Sequence, residues 1–233
     1  EEENWMKRMG FLGPQGTHSE AAALYLQSRL PGPVELQAFP DIYAAMQAVA
    51  AGRSDACLVP VENSLEGSIN ITLDTLAHCD ELQVTAELIC SVHNQPMPRN
   101  PAAPVQKIFS HAQPLAQCRG YLQQHYPGAE LQSVASTAKA ASLVAKSGLA
   151  DGWAAICTKR AGELYGLQTM AAEIQDNMAN CTRFYELHRR GDPVLSRGEP
   201  EKSLVICQID GQRAGSLCDV LQEFARRDVN MTR

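Results

Sequence analysis

Four short polar blocks interrupt a chain that is otherwise rich in apolar residues. The last of them, Asn180-Cys181-Thr182-Arg183-Phe184, sets a hydroxyl, a guanidinium and an aromatic ring in sequence. The others are Gly13-Pro14-Gln15-Gly16-Thr17-His18-Ser19-Glu20, Val61-Glu62-Asn63-Ser64-Leu65-Glu66-Gly67 and Ser110-His111-Ala112-Gln113-Pro114-Leu115-Ala116-Gln117-Cys118. These residue types offer hydrogen bonds from hydroxyls and carboxamides, with Arg183 as the one permanent cation among the four blocks. A threonine hydroxyl is a weak acid, so its natural use is as a preorganised donor to developing negative charge. Each block has an ordinary reading on its own. Asn63 and Ser64 are common turn and cap types, His111 follows a strand pattern, and Asn180 to Phe184 could simply begin a strand. Gly13 and Gly16 have the wrong spacing for a dinucleotide loop.

Composition bounds what such groups could serve. The chain has 233 residues, of which 45% are hydrophobic, enough for one large core or two modest ones. The net charge of −6 leaves no broad basic field for nucleic acid or an anionic membrane. Positive potential for an anionic ligand must therefore be local, from a few side chains and helix N-termini. The eight cysteines are dispersed in apolar surroundings without metal-like pairing and read as reduced core residues. No apolar run reaches the ~20 residues of a membrane span, and the acidic start does not resemble an export signal. These features predict a cytoplasmic protein, and the sequons at Asn70 and Asn180 are set aside.

The elements that must position the blocks alternate between strand and helix. The pattern predicts strands at 10–13, 34–39 and 55–61, a long extended segment at 82–93, and further strands at 105–110, 130–134 and 153–157. Helices are predicted at 21–30 behind a Thr17/Glu20 capping box, at 42–51 behind Asp41, and at 68–79, 113–126, 137–146 and 159–165. Such alternation implies parallel sheets covered on both faces. Two cycles suggest two lobes, with 82–93 crossing to the second and 172–180 returning, so that 182–188 rejoins the first sheet. Polar blocks at strand ends then face a cleft, where open α/β sheets bind ligands.

Taken together and in this order, the four blocks resemble the prephenate dehydratase family. The resemblance implies an α/β catalytic domain over 8–189, two-lobed like periplasmic binding proteins, with lobe 1 about 8–82 and 178–189 and lobe 2 about 83–177. It implies the conversion of prephenate to phenylpyruvate on the route to phenylalanine, without metal or cofactor. It gives Thr182, Asn63, Ser110 and Gln117 catalytic roles, Thr182 at the departing hydroxyl and the others orienting substrate from both lobes. Arg183, Phe184, Glu62, Ser64, His111 and Thr17 become expected substrate contacts, Arg183 through a carboxylate, and closure of the lobes is expected to bring the groups together. His18 departs from the aromatic residue usual in the family, and Ala112 from a frequent proline.

Beyond His188 a Gly-, Pro- and charge-rich linker is expected at 190–200, followed by a strand at 202–210 and an amphipathic helix at 214–227. This resembles the start of an ACT module, with Ala214, Gly215, Ser216 and Leu217 in its ligand loop. The resemblance implies phenylalanine as feedback inhibitor and a homodimer or homotetramer. The module's second half is expected beyond Arg233, and no chorismate mutase helix is expected before Gly10. Arogenate as substrate, and non-catalytic amino-acid binding, remain the alternatives.

Overall fold

The computed structural model describes residues 6–195 and 202–231, which fall into two compact units divided between 198 and 199. The first unit begins with β1 (Lys7–Leu12), α1 (His18–Gln27), β2 (Val34–Phe39), α2 (Ile42–Ala50) and β3 (Ala56–Asn63). A short β4 (Gly67–Ser68) turns back on β3 before α3 (Asn70–Ala77) and the long β5 (Leu82–Ser91). The second lobe holds β6 (Gln95–Pro98), β7 (Lys107–Ser110), α4 (Ala112–Gln117), α5 (Arg119–His125), β8 (Glu130–Ser133), α6 (Thr137–Ala145), β9 (Trp153–Cys157) and α7 (Lys159–Tyr165). The chain then returns as β10 (Cys181–Arg189).

Two sheets result, ordered β2-β1-β3-β10-β5, with β4 beside β3, and β6-β9-β7-β8. They are mixed rather than parallel. β10 runs antiparallel to both β3 and β5, and β6 antiparallel to β9. The crossover explains this: β5 leaves the first lobe and β10 comes back, so the two must run in opposite directions. Period-two alternation on β3 places Ala56 and Leu58 in a core with Met9, Phe11 and Phe184 on one face. Cys57 and Val59 join Ile42, Met46, Val49 and Leu187 on the other. Lobe 2 repeats the arrangement, with Phe109 and Ala155 on one face and Ile108 and Ile156 on the other. Burial drives the thiols of Cys118 and Cys157 up to about 12, so both stay protonated.

Local signals in the sequence explain most boundaries. Thr17, Asp41, Ser136 and Thr158 each cap a helix with a side-chain oxygen. Glu20 closes the first box one residue further back than expected, accepting from the Gly16 amide at 2.5 Å. Gly166, in the left-handed region at φ +66°, ends α7. The helix expected over 113–126 is broken at Cys118. Asp176, on the returning segment, accepts from the Gly120 and Tyr121 amides at 3.0 and 3.3 Å and starts α5 afresh. A Cβ at Gly120 would lie 2.9 Å from that carboxylate and would push it off the two amides.

In the second unit α8 (Ser216–Arg226) forms where a helix is expected. Residues 202–210 form no strand, contrary to the sequence pattern. A strand needs a neighbour for its backbone hydrogen bonds, and none is present in this unit among the described residues. The expected linker falls partly on 196–201, outside the described residues.

Candidate active site

Asn63 ends β3 and Thr182 lies second in β10, the strand beside it, and the two are register partners. The orientation of the Asn63 carboxamide is determined by its surroundings. Its Oδ1 accepts from the amides of Leu65 and Glu66 at 3.0 and 3.3 Å, as an Asx turn does. Its Nδ2 therefore faces the other way, donating to Thr182 Oγ1 at 3.1 Å and Asn180 Oδ1 at 3.0 Å. Asn180 passes the polarity on, its Nδ2 donating to Gln117 Oε1 at 3.1 Å. A four-residue hydrogen-bonded chain thus joins the first lobe to α4 of the second. Because Thr182 Oγ1 and Gln117 Oε1 are both used as acceptors, the Thr182 hydroxyl proton and the Gln117 amide protons remain as donors.

The chain borders a cavity of about 310 Å³ between the lobes. Asn63, Gln117, Thr182 and Phe184 line it, with His18, Ser19, Pro60, Glu66, Gly67, Ser68, Ile69, Val92, Gln113 and Pro114. Lysine and arginine are absent from this lining. Positive potential comes instead from helix starts. His18 and Ser19 are the first residues of α1, and Ser68 and Ile69 lead into α3, whose N-terminus has no side-chain cap.

Other expected contacts lie elsewhere. Arg183 alternates with Thr182 and Phe184 and is absent from the cavity lining. Its guanidinium pairs with Glu87 at 2.8 Å and with Glu62 at 3.5 Å, so Glu62 and Arg183 form an ion-pair cluster apart from the cleft. Ser110 is fully buried and donates to the Ile156 carbonyl at 2.7 Å, tying β7 to β9. Ser64 accepts from the Cys181 amide at 3.0 Å and so fastens the Asn63 turn to β10. His111 caps α4 through Nδ1, and Thr17 caps α1. Ala214 to Leu217 sit at the start of α8, with Gly215 at φ +89°.

The groups are already assembled in this structure. Asn180 already bridges Asn63 to Gln117, and a second tie runs from Thr158 Oγ1 to the Gly16 carbonyl at 2.9 Å. Gly16 permits that approach: its φ is +86°, and a Cβ would lie 3.1 Å from Ala161.

Sequence reasoning overlooked Asn180 and His18 as site residues. Asn180 has no signal of its own beyond opening a polar block. His18 could have been found from its departure from the family pattern. Burial lowers its pKa to about 4, with nearby His93 adding to the shift and Asn94 partly offsetting it, so the imidazole is neutral at neutral pH.

A family model of prephenate dehydratase matches residues 9–192. The chain belongs to the prephenate dehydratase family. Among curated prephenate dehydratases, the one from Amycolatopsis methanolica is 36% identical over 98% of this chain and 73% of its own length. That from Mycobacteroides abscessus is 37% identical over 98% and 74%. The solved prephenate dehydratase from Arthrobacter aurescens, in complex with L-Phe, superposes with a TM-score of 0.80 at 31% identity, covering 97% of this chain and 74% of that one. GqqA, described as a novel type of quorum quenching acylase, has a TM-score of 0.76 at 25% identity, covering 97% and 80%. The prephenate dehydratase fold is therefore shared with a protein of another described activity, and the site must argue the chemistry.

Proposed function

We propose that the chain catalyses the decarboxylating dehydration of prephenate to phenylpyruvate, as a carbon–oxygen lyase, in the cleft between its lobes. Electrons from the breaking bond to the departing carbon dioxide enter the ring, while the C–O pair leaves with oxygen. That oxygen takes up one proton and departs as water. Aromatisation supplies the driving force, so the protein has to hold two carboxylates, assist the leaving hydroxyl and limit competing water. The observation that carries this reading is the fixed polarity of the hydrogen bonds running from Asn63. It turns the Thr182 proton outward as a donor for the leaving hydroxyl. Gln117 Nε2 and the N-termini of α1 and α3 serve the carboxylates. Ser110 and Ser64 act by holding strands and turn in place, and Arg183 by ion pairing.

A second reading rests on Glu66, the one acidic side chain among the residues that line the cleft. An ammonium group in place of the keto oxygen, as in arogenate, would find an opposite charge there. The L-Phe complex of the Arthrobacter relative supports phenylalanine as a feedback inhibitor here. We assign that response to the unit beginning after the linker, with Ala214 to Leu217 at its ligand loop in a homo-oligomer.

The test is phenylpyruvate formation from prephenate and from arogenate (phenylalanine formation in the latter case), with and without added phenylalanine. Turnover of prephenate supports the reading. Tight binding without turnover of either substrate would instead make this an amino-acid-binding protein.

A further inference from the structure

A second cavity, of about 420 Å³, lies in lobe 1 where the C-terminal end of α2 meets β1 and β2. Arg8, Gln37, Phe39, Ala48, Gly52 and Arg53 line it, and it shares no lining residue with the cleft. Strand alternation and register put Arg8 and Gly10 of β1 on one sheet face with Gln37 and Phe39 of β2. Gly10 leaves room for the Phe39 ring, since a Cβ there would lie 2.8 Å from it. Ser54 Oγ donates to Gln37 Oε1 at 3.4 Å, so Gln37 Nε2 remains as a donor. Two of the last carbonyls of α2 are already occupied. That of Ala48 accepts from the Arg53 and Ser54 amides, and that of Val49 from Gly52. The polar side chains of the lining therefore offer donors, with no carboxylate among them.

Arg8 and Arg53 are exposed, and neither guanidinium has an ion pair, hydrogen bond or ring contact among the described residues. Of the other described arginines, all but Arg119 have such a partner. Glu35 is the register partner of Arg8 but forms no ion pair with it, and Asp55 is held by Lys7 at 3.3 Å and by the Arg8 amide at 2.8 Å. Two of the three unpartnered guanidiniums thus border one cavity, in a chain whose net charge is −6.

We propose that this cavity binds a small organic dianion, with Arg8 and Arg53 holding its acidic oxygens and the half-buried Phe39 ring facing its apolar part. Guanidinium forks match the paired oxygens of carboxylates and phosphates, and the volume is that of a small-molecule site. Two sources share this chemistry, a phosphate monoester and a dicarboxylate. The inference does not depend on the reaction assigned to the cleft.

The experiment titrates inorganic phosphate, phenyl phosphate and succinate into the intact chain by calorimetry, at an ionic strength held constant with chloride. Wild type is compared with Arg8→Gln, Arg53→Gln and the double variant, and thermal unfolding of each is recorded. At least one dianion should bind wild type. Each single substitution should weaken that binding about tenfold, the size of one charge-assisted contact, and the double variant should lose it. Tighter binding of phenyl phosphate than of phosphate or succinate would identify the monoester as the source and Phe39 as the face for its ring. Tighter binding of succinate would identify the dicarboxylate. Nitrogen-15 NMR of wild type gives a readout that needs no variant to fold: two arginine side-chain resonances should shift as the dianion is added. Failure of all three dianions to bind wild type, arginine resonances that stay unmoved, or equal binding to a folded double variant would overturn the proposal.

Discussion

The two lobes contribute to the same cleft by different physical routes. In the first, Asn63 and Thr182 meet because they are register partners on adjacent strands, and strand pairing alone fixes their separation. In the second, Gln117 is the last residue of a short helix whose end is set by a carboxylate about sixty residues away in sequence, Asp176. The Asp176 amide also donates to the Gln117 carbonyl at 2.7 Å. One half of the site is thus built by a regular lattice and the other by a single returning segment. Damage to the first should remove chemistry, whereas damage to the second should loosen positioning.

The strongest test of that contrast is Thr182→Ala. Removing one preorganised donor costs ~2.7–4 kcal/mol in the transition state, so kcat for phenylpyruvate formation should fall by roughly 10²–10³ with KM little changed. Thr182→Ser should retain most of the rate. Asn180→Ala, on the bridge between the lobes, should be intermediate. It leaves Gln117 Oε1 without its donor, while Asn63 Nδ2 keeps Thr182 Oγ1 and the Cys181 carbonyl, costing about 1–3 kcal/mol in unfolding free energy, and steady-state kinetics should show KM rising along with the fall in kcat.

A smaller effect concerns His18 and acid stability. Its folded pKa is about 4 against 6.5 for the free side chain, so unfolding takes up a proton between these values. The neutral ring is fully compatible with the fold above pH 6.5, and stability is lost as pH falls toward 4. Denaturant unfolding of His18→Phe should show a weaker decline than wild type across that window, by up to about 2–3 kcal/mol at its acid end. All other titratable groups are common to the two proteins, so the difference between the two curves isolates His18. The smallest kinetic effect is expected of Arg183→Met. Because Arg183 is spent on Glu62 and Glu87, KM for prephenate should stay within about twofold. A tenfold rise would restore it as a carboxylate ligand.

The sequence made lobe 1 readable because its devices are local. Capping residues and period-two strands announce themselves within a few positions, as Thr17 and Asp41 did. The return of 182–188 to the first sheet was legible as well, whereas the register that sets Thr182 against Asn63 was not. What could not be read were contacts made at long range. Nothing near Cys118 says that Asp176 will break the helix there. Nothing near Arg183 says that Glu87 will take its guanidinium. Ser110 belongs to a polar block, yet its hydroxyl is used by a neighbouring strand. In each case the side chain's type was visible and its partner was not.

The central claim is that Asn63 orients the Thr182 hydroxyl as donor to the leaving group, so that the two residues act as a unit. A double-mutant cycle on kcat for phenylpyruvate formation, with Asn63→Ala, Thr182→Ala and both together, tests it directly. The account predicts that the double variant is scarcely slower than Thr182→Ala alone, because Asn63 has nothing left to orient. Losses that simply multiply, with each residue acting independently of the other, would contradict it.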